Sequence, residues 1–131
     1  MSVVLFLAVA AAGGVGAAAR LIIDGLVRSR IRSAFPAGTA FINVTGSVLL
    51  GLITGMAFAE ALPAEWHAVL GSGFLGGYTT FSAASYETVR LLQSRRPGAA
   101  LAASLGMLVG CSVAAAIGLW AGSSLWAGSS Q

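Results

Sequence analysis

The chain has 131 residues, of which 57% are hydrophobic and only 8% are charged. Its mean hydropathy of +0.90 lies well outside the soluble range, so the composition excludes an ordinary soluble domain and indicates a membrane protein. The formal net charge of +3 comes from seven arginines against four carboxylates. Membrane topology explains this basic balance, and no nucleic-acid partner is expected.

Four long runs with few or no charged residues predict an all-α integral membrane protein with four transmembrane helices. A helix needs about 20 residues to cross roughly 30 Å of hydrocarbon, and each run supplies that length. Helices are the default because open sheet edges cannot be satisfied in lipid. The first run also lacks the preceding basic residue of a signal peptide. The prediction is a single domain over residues 1–131, with helices near residues 3–23, 37–59, 66–88 and 98–121.

The basic residues accompany the loops after helices 1 and 3, and none lies at the termini or between helices 2 and 3. By the positive-inside rule, these two loops are expected in the cytoplasm and both termini outside the cell (inner or plasma) membrane. A single fixed orientation should result. The basic residues are Arg20, Arg28, Arg30, Arg32, Arg90, Arg95 and Arg96.

Helix 2 carries a polar side chain at membrane depth. Asn43 lies well inside the helix and is followed by Thr45 and Ser47. Its amide must find partners in the protein or in a wet cavity. From the residues alone, a hydrogen bond to another helix and a place in a pore are equally consistent with this position.

The stretch GGYTTFSAASYE, residues 76–87, interrupts helix 3. The adjacent Gly76 and Gly77 predict a break near the middle of the helix. A break frees backbone carbonyls, which must then face another helix, water or a cation. Broken helices at membrane depth tend to line binding sites. The alternative is a packed glycine kink whose hydroxyl side chains bond back to the preceding turn.

Helix 4 has a small residue at every fourth position, a spacing that lets helices pack closely in lipid. Gly51 and Gly55 repeat the spacing in helix 2. The ridge in helix 4 comprises Ala102, Gly106, Gly110, Ala114, Gly118 and Gly122.

The sequence offers no constellation for catalysis. Cys111 is the only cysteine and His67 the only histidine, so neither an intrachain disulfide nor a histidine and cysteine metal site is expected. The four carboxylates fall at or near predicted helix ends, and no serine has a histidine base at hand. We therefore expect no enzymatic activity and no organic cofactor.

Three motifs in order make the chain resemble the Fluc (CrcB) family of fluoride channels along nearly all of its length. GGVGAAAR (residues 13–20) resembles the family's helix-1 signature, and FPAGTAFINVTGSVLLG (residues 35–51) is similar to its loop-1 and helix-2 signature. GSGFLGGYTTFS (residues 71–82) resembles its helix-3 break. Each motif alone is moderately specific, and the three together are strong evidence for the resemblance.

The resemblance implies a four-helix subunit that pairs antiparallel with a second copy or a paralogue and mediates passive fluoride efflux and fluoride resistance. Each dimer would carry two narrow fluoride pathways. The backbone carbonyls of Gly76 and Thr79, with the same pair from the partner, would bind a structural sodium ion at the dimer centre. Asn43 would line the pathway, and Phe81 would offer its ring edge to the anion. Further candidates for the pathway or its vestibule are Thr39, Thr80, Ser82 and Arg20; an interfacial anchor explains Arg20 equally well.

The sequence departs from the family pattern at two places. The family usually reads TTFSTFS, whereas this chain reads TTFSAAS, so Ala83 and Ala84 stand where threonine and a second phenylalanine are expected. On helix 4, the family's polar side chains align with Ala102 and Gly106. Arginines on one side also oppose insertion in both orientations. Together these features predict a heterodimer whose partner has the opposite arginine bias and an intact TTFSTF-type stretch.

Two other functions fit parts of the sequence. A small multidrug-resistance transporter also has four short helices, but it depends on a membrane-embedded glutamate in helix 1, and this chain has no acidic residue before Asp24. A non-conducting structural partner subunit explains the packing ridges. It does not explain Asn43 together with the break in helix 3.

Overall fold

The computed structural model describes residues 1–33 and 35–127, which form helices and turns and contain no strand. The elements in chain order are α1 (Val3–Arg30), α2 (Ala37–Phe58), α3 (Ala64–His67), a π-helical stretch (Ala68–Leu75), α4 (Gly76–Tyr78), α5 (Phe81–Gln93) and α6 (Pro97–Trp126). Of these, α1, α2 and α6 are long and apolar enough to cross a membrane. The predicted domain of residues 1–131 also includes residue 34 and residues 128–131, which lie outside the described part.

The remaining crossing is built from two half-helices. α3, the π-helical stretch and α4 follow one another without a gap, and we call residues 64–78 the first half-helix and α5 the second half-helix. Between them, Thr79 (φ −79°, ψ 159°) and Thr80 (φ −150°, ψ 121°) have extended backbones. The predicted class, four membrane crossings with the third broken near its middle, is confirmed.

The adjacent glycines predicted the break, but the structure has it two residues later, at Thr79 and Thr80. Gly76 and Gly77 are both helical. Close packing against α1 requires a glycine at position 77, because a Cβ there would overlap the carbonyl oxygen of Gly13 and lie 2.9 Å from its carbonyl carbon. The new helix begins at the threonines because the Thr80 hydroxyl accepts a hydrogen bond from the Ala83 N–H at 3.2 Å, a typical N-cap.

α1 packs against the first half-helix through backbone contacts. A Cβ on Gly16 would lie 2.9 Å from the carbonyl carbon of Phe74, and a Cβ on Gly73 would lie 2.8 Å from the carbonyl oxygen of Val9. Backbones this close leave no room for a side chain, which is how small residues associate helices in lipid. Beside them lies a cluster of Ile42, Leu75 and Tyr78, covered by Ala19, Ile23, Ile53 and Phe74.

α2 and α6 form the second closely packed pair. A Cβ on Gly51 would lie 2.8 Å from the nitrogen of Leu119, and a Cβ on Gly118 would lie 2.9 Å from the nitrogen of Leu52. The predicted ridge of small residues is used only in part, since Gly106 is exposed with no atom within 4 Å of its Cβ position. Rows of every fourth residue are inclined to the helix axis, so a partner helix follows such a row for part of its length.

Both arginine-rich regions lie at the same end of the bundle. α1 continues to Arg30, beyond the predicted residue 23, and Arg28 pairs with Asp24 one turn earlier at 2.9 Å. Such a pair supports the added turns. Arg28 also contacts Glu87 of α5 at 2.8 Å, which joins the end of α1 to the second half-helix.

The outer surface of the bundle is apolar. Leu21, Leu108 and Trp120 are 68%, 64% and 71% exposed, and many other large apolar side chains share this surface. Contiguous exposed apolar surface of this kind suits lipid tails, not water. The chain is a membrane protein.

Candidate functional site

Asn43 closes the gap in the backbone hydrogen bonds that the helix break creates. Its Nδ2 donates to the carbonyl oxygen of Thr80 at 2.8 Å, and its Oδ1 accepts from the N–H of Thr80 at 2.8 Å. Both residues are only 8% exposed. A buried backbone group without a partner is costly, so one side-chain amide satisfies both polar groups of Thr80.

These bonds favour the structural role that the sequence left open for Asn43. The amide nitrogen also lies 3.3 Å from the sulfur of Met107 on α6. An amide has two N–H donors, and both are therefore engaged. Asn43 clamps α2 to the break, and its place along an anion pathway stays a prediction.

Further contacts fix the end of the first half-helix against α2. The Thr79 hydroxyl donates to the Leu75 carbonyl at 2.9 Å, and the Tyr78 hydroxyl lies 3.0 Å from Thr45 Oγ1. Gly46 provides the space for this approach, because a Cβ there would overlap the methyl group of Thr79 and lie 3.3 Å from the Tyr78 ring. The position of the break is thus set by α2.

A groove of about 750 Å³ extends from the break between α2, α5 and α6. Asn43, Thr79 and Thr80 line it at the break, and so does Phe81, a residue that is 87% exposed. The start of α5 lies beside the break, and the positive end of a helix favours an anion. The α5 and α6 residues in its lining are Ala84, Ser85, Thr88, Val89, Ser104, Met107, Leu108, Cys111, Ser112 and Ala115.

Most hydroxyl groups in the groove already donate to their own helix. This back-bonding to the preceding turn is common in membrane helices and leaves no proton for an anion. The pairs are Ser47 to the Asn43 carbonyl (2.7 Å), Thr88 to Ala84 (2.9 Å), Ser104 to Ala100 (2.9 Å) and Ser112 to Leu108 (2.8 Å).

Ser85 also lines the groove, although the sequence did not mark it as a pathway residue. Its hydroxyl forms no hydrogen bond with the described part of the chain, so its proton is available. The stretch quoted above includes Ser85, but a sequence does not show which of several hydroxyls bonds back to its own helix. Only the hydrogen-bond partners separate Ser85 from the others.

The two departures from the family pattern differ in where they fall. Ala84 lines the groove, so the missing ring would have stood inside it. Ala102 and Gly106 are both exposed and are absent from the groove lining, while Ser104 and Ser112 supply the hydroxyls of α6.

The carbonyl oxygens of Gly76 and Thr79 lie outside the helical hydrogen-bond pattern. The Thr80 N–H, which would bond to Gly76 in a continuous helix, donates to Asn43 instead. Thr79 is extended, so its carbonyl no longer belongs to a helical turn. Neutral oxygens released in this way are ligands that a hard cation prefers, so these residues fit a sodium ion. Within the described residues, no cluster of His, Cys, Asp and Glu side chains offers a metal site.

Three predicted pathway residues lie apart from the groove lining. Thr39 is buried in α2 with 2% exposure, and Ser82 is exposed, with its Oγ 3.2 Å from Thr80 Oγ1. Arg20 is half-buried, and its Nε is buried without a hydrogen-bond partner in the described part of the chain. Since α1 runs on to Arg30, Arg20 lies about 15 Å before the helix end at 1.5 Å per residue.

Comparisons with known proteins agree on one family. The family described as "CrcB-like protein, Camphor Resistance (CrcB)" matches residues 7–119. The chain is 57% identical over 122 residues to "Fluoride-specific ion channel FluC 1" of Leifsonia xyli subsp. xyli, covering 93% of this chain and 89% of that protein. It is 45% identical over 119 residues to "Fluoride-specific ion channel FluC 2" of Cutibacterium acnes, with 86% and 92% covered. For the Mycobacterium bovis protein of that same name, identity is 38% over 120 residues, with 92% of each chain covered.

Proposed function

Since the chain belongs to the CrcB family, we propose that it is a subunit of a fluoride-selective channel that lets fluoride leave the cell passively and so confers fluoride resistance. One observation carries this proposal: the Asn43 amide holds the break open at membrane depth, so that the start of α5 lies beside a groove. The relatives described above are named fluoride-specific ion channels. A channel of this kind needs no catalytic group.

The proposed pathway follows the groove from the helix break. Fluoride must exchange its water for donors that do not bind it too tightly to leave. The start of α5 offers partial positive charge, Ser85 offers a free hydroxyl, and the ring edge of Phe81 carries the positive part of the aromatic quadrupole. Asn43 acts mainly by positioning Thr80.

The other predicted residues receive more peripheral roles in this proposal. Thr80 caps α5, and Ser82 extends the polar surface at the exposed start of that helix. Thr39 supports the buried part of α2. The charge of Arg20, half-buried in α1, raises the local concentration of anions before they enter.

A structural sodium ion belongs to the same proposal. The carbonyls of Gly76 and Thr79 would hold it, and an equivalent pair from a second subunit would complete the ligand set, because two oxygens are fewer than a hard cation takes. Bound there, the ion would supply a fixed positive charge between the two broken helices.

The second subunit is proposed to be an antiparallel paralogue. The Phe81 ring is 87% exposed, which suits a surface that another subunit covers. Both arginine-rich loops lie at one end of the bundle, which favours one orientation with these loops in the cytoplasm and both termini outside. A partner with the opposite bias would then be antiparallel, and the names FluC 1 and FluC 2 among the relatives hint at such pairs.

Fluoride release from liposomes tests this function. Three preparations are compared: this subunit alone, its presumed paralogue alone, and both together, with chloride as the control anion. Fluoride flux only in the mixed preparation supports the heterodimer. Full flux from this subunit alone refutes the heterodimer but agrees with a fluoride channel. No fluoride flux from any correctly folded preparation refutes the proposed channel function.

A matched pair of variants tests the role of the groove. Phe81→Ala should reduce fluoride flux, because it removes the ring at the break. Trp120→Ala removes an aromatic ring of similar exposure, 71%, from α6 outside the groove lining and should leave flux unchanged. Equal fluxes from the two variants would refute a role for the Phe81 ring.

A further inference from the structure

A second cavity lies at the arginine-bearing end of the bundle, away from the groove. Its volume is about 220 Å³, and it lies between the end of α1, the start of α2 and the end of α5. Arg28, Arg90 and Arg96 line it, together with a single carboxylate, Glu87. None of these residues has a role in the proposed fluoride pathway.

The charges in this cavity are unevenly paired. Arg28 forms ion pairs with Asp24 at 2.9 Å and with Glu87 at 2.8 Å. Arg90 and Arg96 are both exposed and form no ion pair with the residues that the structure describes. The cavity lining therefore has three arginines against one carboxylate and a net positive charge, and planar guanidinium donors match phosphate oxygens well.

The rim of the cavity is apolar. Ile31 and Phe35 belong to its lining and are 52% and 49% exposed. They stand beside the arginines where α1 ends and α2 begins. A free anion gains nothing from apolar contacts, whereas a phospholipid presents a phosphate and acyl chains side by side.

We propose that this cavity binds the phosphate of an anionic membrane phospholipid, with Arg90 and Arg96 on the phosphate and Ile31 and Phe35 against the first part of the acyl chains. The lipid would stabilise the junction of α1, α2 and α5, because its phosphate would contact α5 and the loop after it while its acyl chains contact the segment between α1 and α2. This inference does not depend on fluoride conduction.

Lipid binding to the intact subunit tests the proposal. Native mass spectrometry would measure retention of phosphatidylglycerol against phosphatidylcholine for the wild type and two double variants. Arg90→Gln with Arg96→Gln removes the two arginine charges of the cavity that form no ion pair with the described residues. Arg30→Gln with Arg32→Gln removes two exposed charges from the same end but outside the cavity lining.

The cavity variant should bind phosphatidylglycerol roughly 30-fold more weakly, since each basic residue near an anionic lipid contributes about 1 kcal/mol. The control variant should bind it as the wild type does. Equal weakening in both variants would mean diffuse attraction to the membrane and would overturn the proposal. All four positions are exposed, so folding should be unaffected; circular dichroism and thermal unfolding in phosphatidylcholine check this.

Two further arms distinguish the source of the phosphate. Inorganic phosphate at millimolar concentration should not displace the lipid, because it lacks acyl chains for the rim. Phe35→Ser should weaken phosphatidylglycerol retention although all arginines remain. Efficient displacement by inorganic phosphate, or unchanged retention in Phe35→Ser, would overturn the assignment to a lipid.

Discussion

Substituting Gly77 by alanine should destabilise the subunit, whereas the same substitution at the neighbouring Gly76 should not. Both glycines are helical. A Cβ on Gly77 would overlap the carbonyl oxygen of Gly13 and lie 3.1 Å from the nitrogen of Ala17, both on α1. A Cβ on Gly76 would meet only the Gly71 carbonyl at 3.8 Å, an ordinary contact. The two variants therefore carry the same chemical change and differ only in packing.

The magnitude follows from two opposed effects. Alanine is favoured over glycine in a helix interior by about 0.5–1 kcal/mol, so Gly76→Ala should be neutral or slightly stabilising. At Gly77 this gain is opposed by overpacking, typically about 1–3 kcal/mol. The overlap is with backbone, and α1 cannot move away without losing its contacts at Gly16 and Gly73. Gly77→Ala should therefore be less stable than Gly76→Ala by about 2 kcal/mol or more.

Denaturation monitored by circular dichroism in a constant detergent or lipid gives the comparison. Fluoride flux is a second readout, because Gly76→Ala keeps the backbone carbonyl proposed for sodium and should conduct as the wild type does. Equal unfolding free energies for the two variants would refute the close packing of α1 against α4. They would also remove the packing reason given for a glycine at position 77.

Three other substitutions test the site. Asn43→Ala should lower the free energy of unfolding by about 2–6 kcal/mol, since the Thr80 N–H and C=O each lose a buried partner at about 1–3 kcal/mol. Ser47→Ala, whose hydroxyl bonds only within its own helix, should change the free energy of unfolding little, and equal losses would contradict the clamp. Thr80→Ala should cost about 1 kcal/mol through loss of the α5 cap, and Thr80→Ser should restore that stability in the same denaturation assay; a serine variant as unstable as alanine would argue against capping. Ala84→Phe should raise fluoride flux from liposomes that contain this subunit together with its presumed paralogue, because it returns a ring to the groove; unchanged flux from a folded variant would argue against a role for the ring there.

The clamp connects the packing of the bundle to the proposed function. A helix break in lipid must satisfy its backbone groups within the protein. Asn43 does this from a neighbouring helix, so the break persists only while α2 and the half-helices stay in register. Stability measurements and flux measurements on Asn43 variants should therefore change together.

The sequence by itself determined the class of the protein. Hydropathy predicts four membrane crossings, because one crossing needs about 20 apolar residues and each of the four runs supplies that length. The motifs that resemble the family are contiguous stretches of sequence, so they can be recognised without a structure. The same holds for the arginine bias, which depends only on the order of loops along the chain.

The tertiary structure decided what each of these residues does. The pair Gly76 and Gly77 predicted a break from conformational freedom, yet Gly77 is small so that α1 can approach, and the helix breaks at Thr79 and Thr80. The sequence alone allowed Asn43 either a hydrogen bond to another helix or a place in a pore. Its partner, Thr80, lies 37 positions away, and only the folded structure brings the two together. Likewise, only the contacts show that the Ser85 hydroxyl has no hydrogen-bond partner among the described residues. Local sequence specifies propensity, but close packing and hydrogen bonding between distant segments determine which local preference is realised.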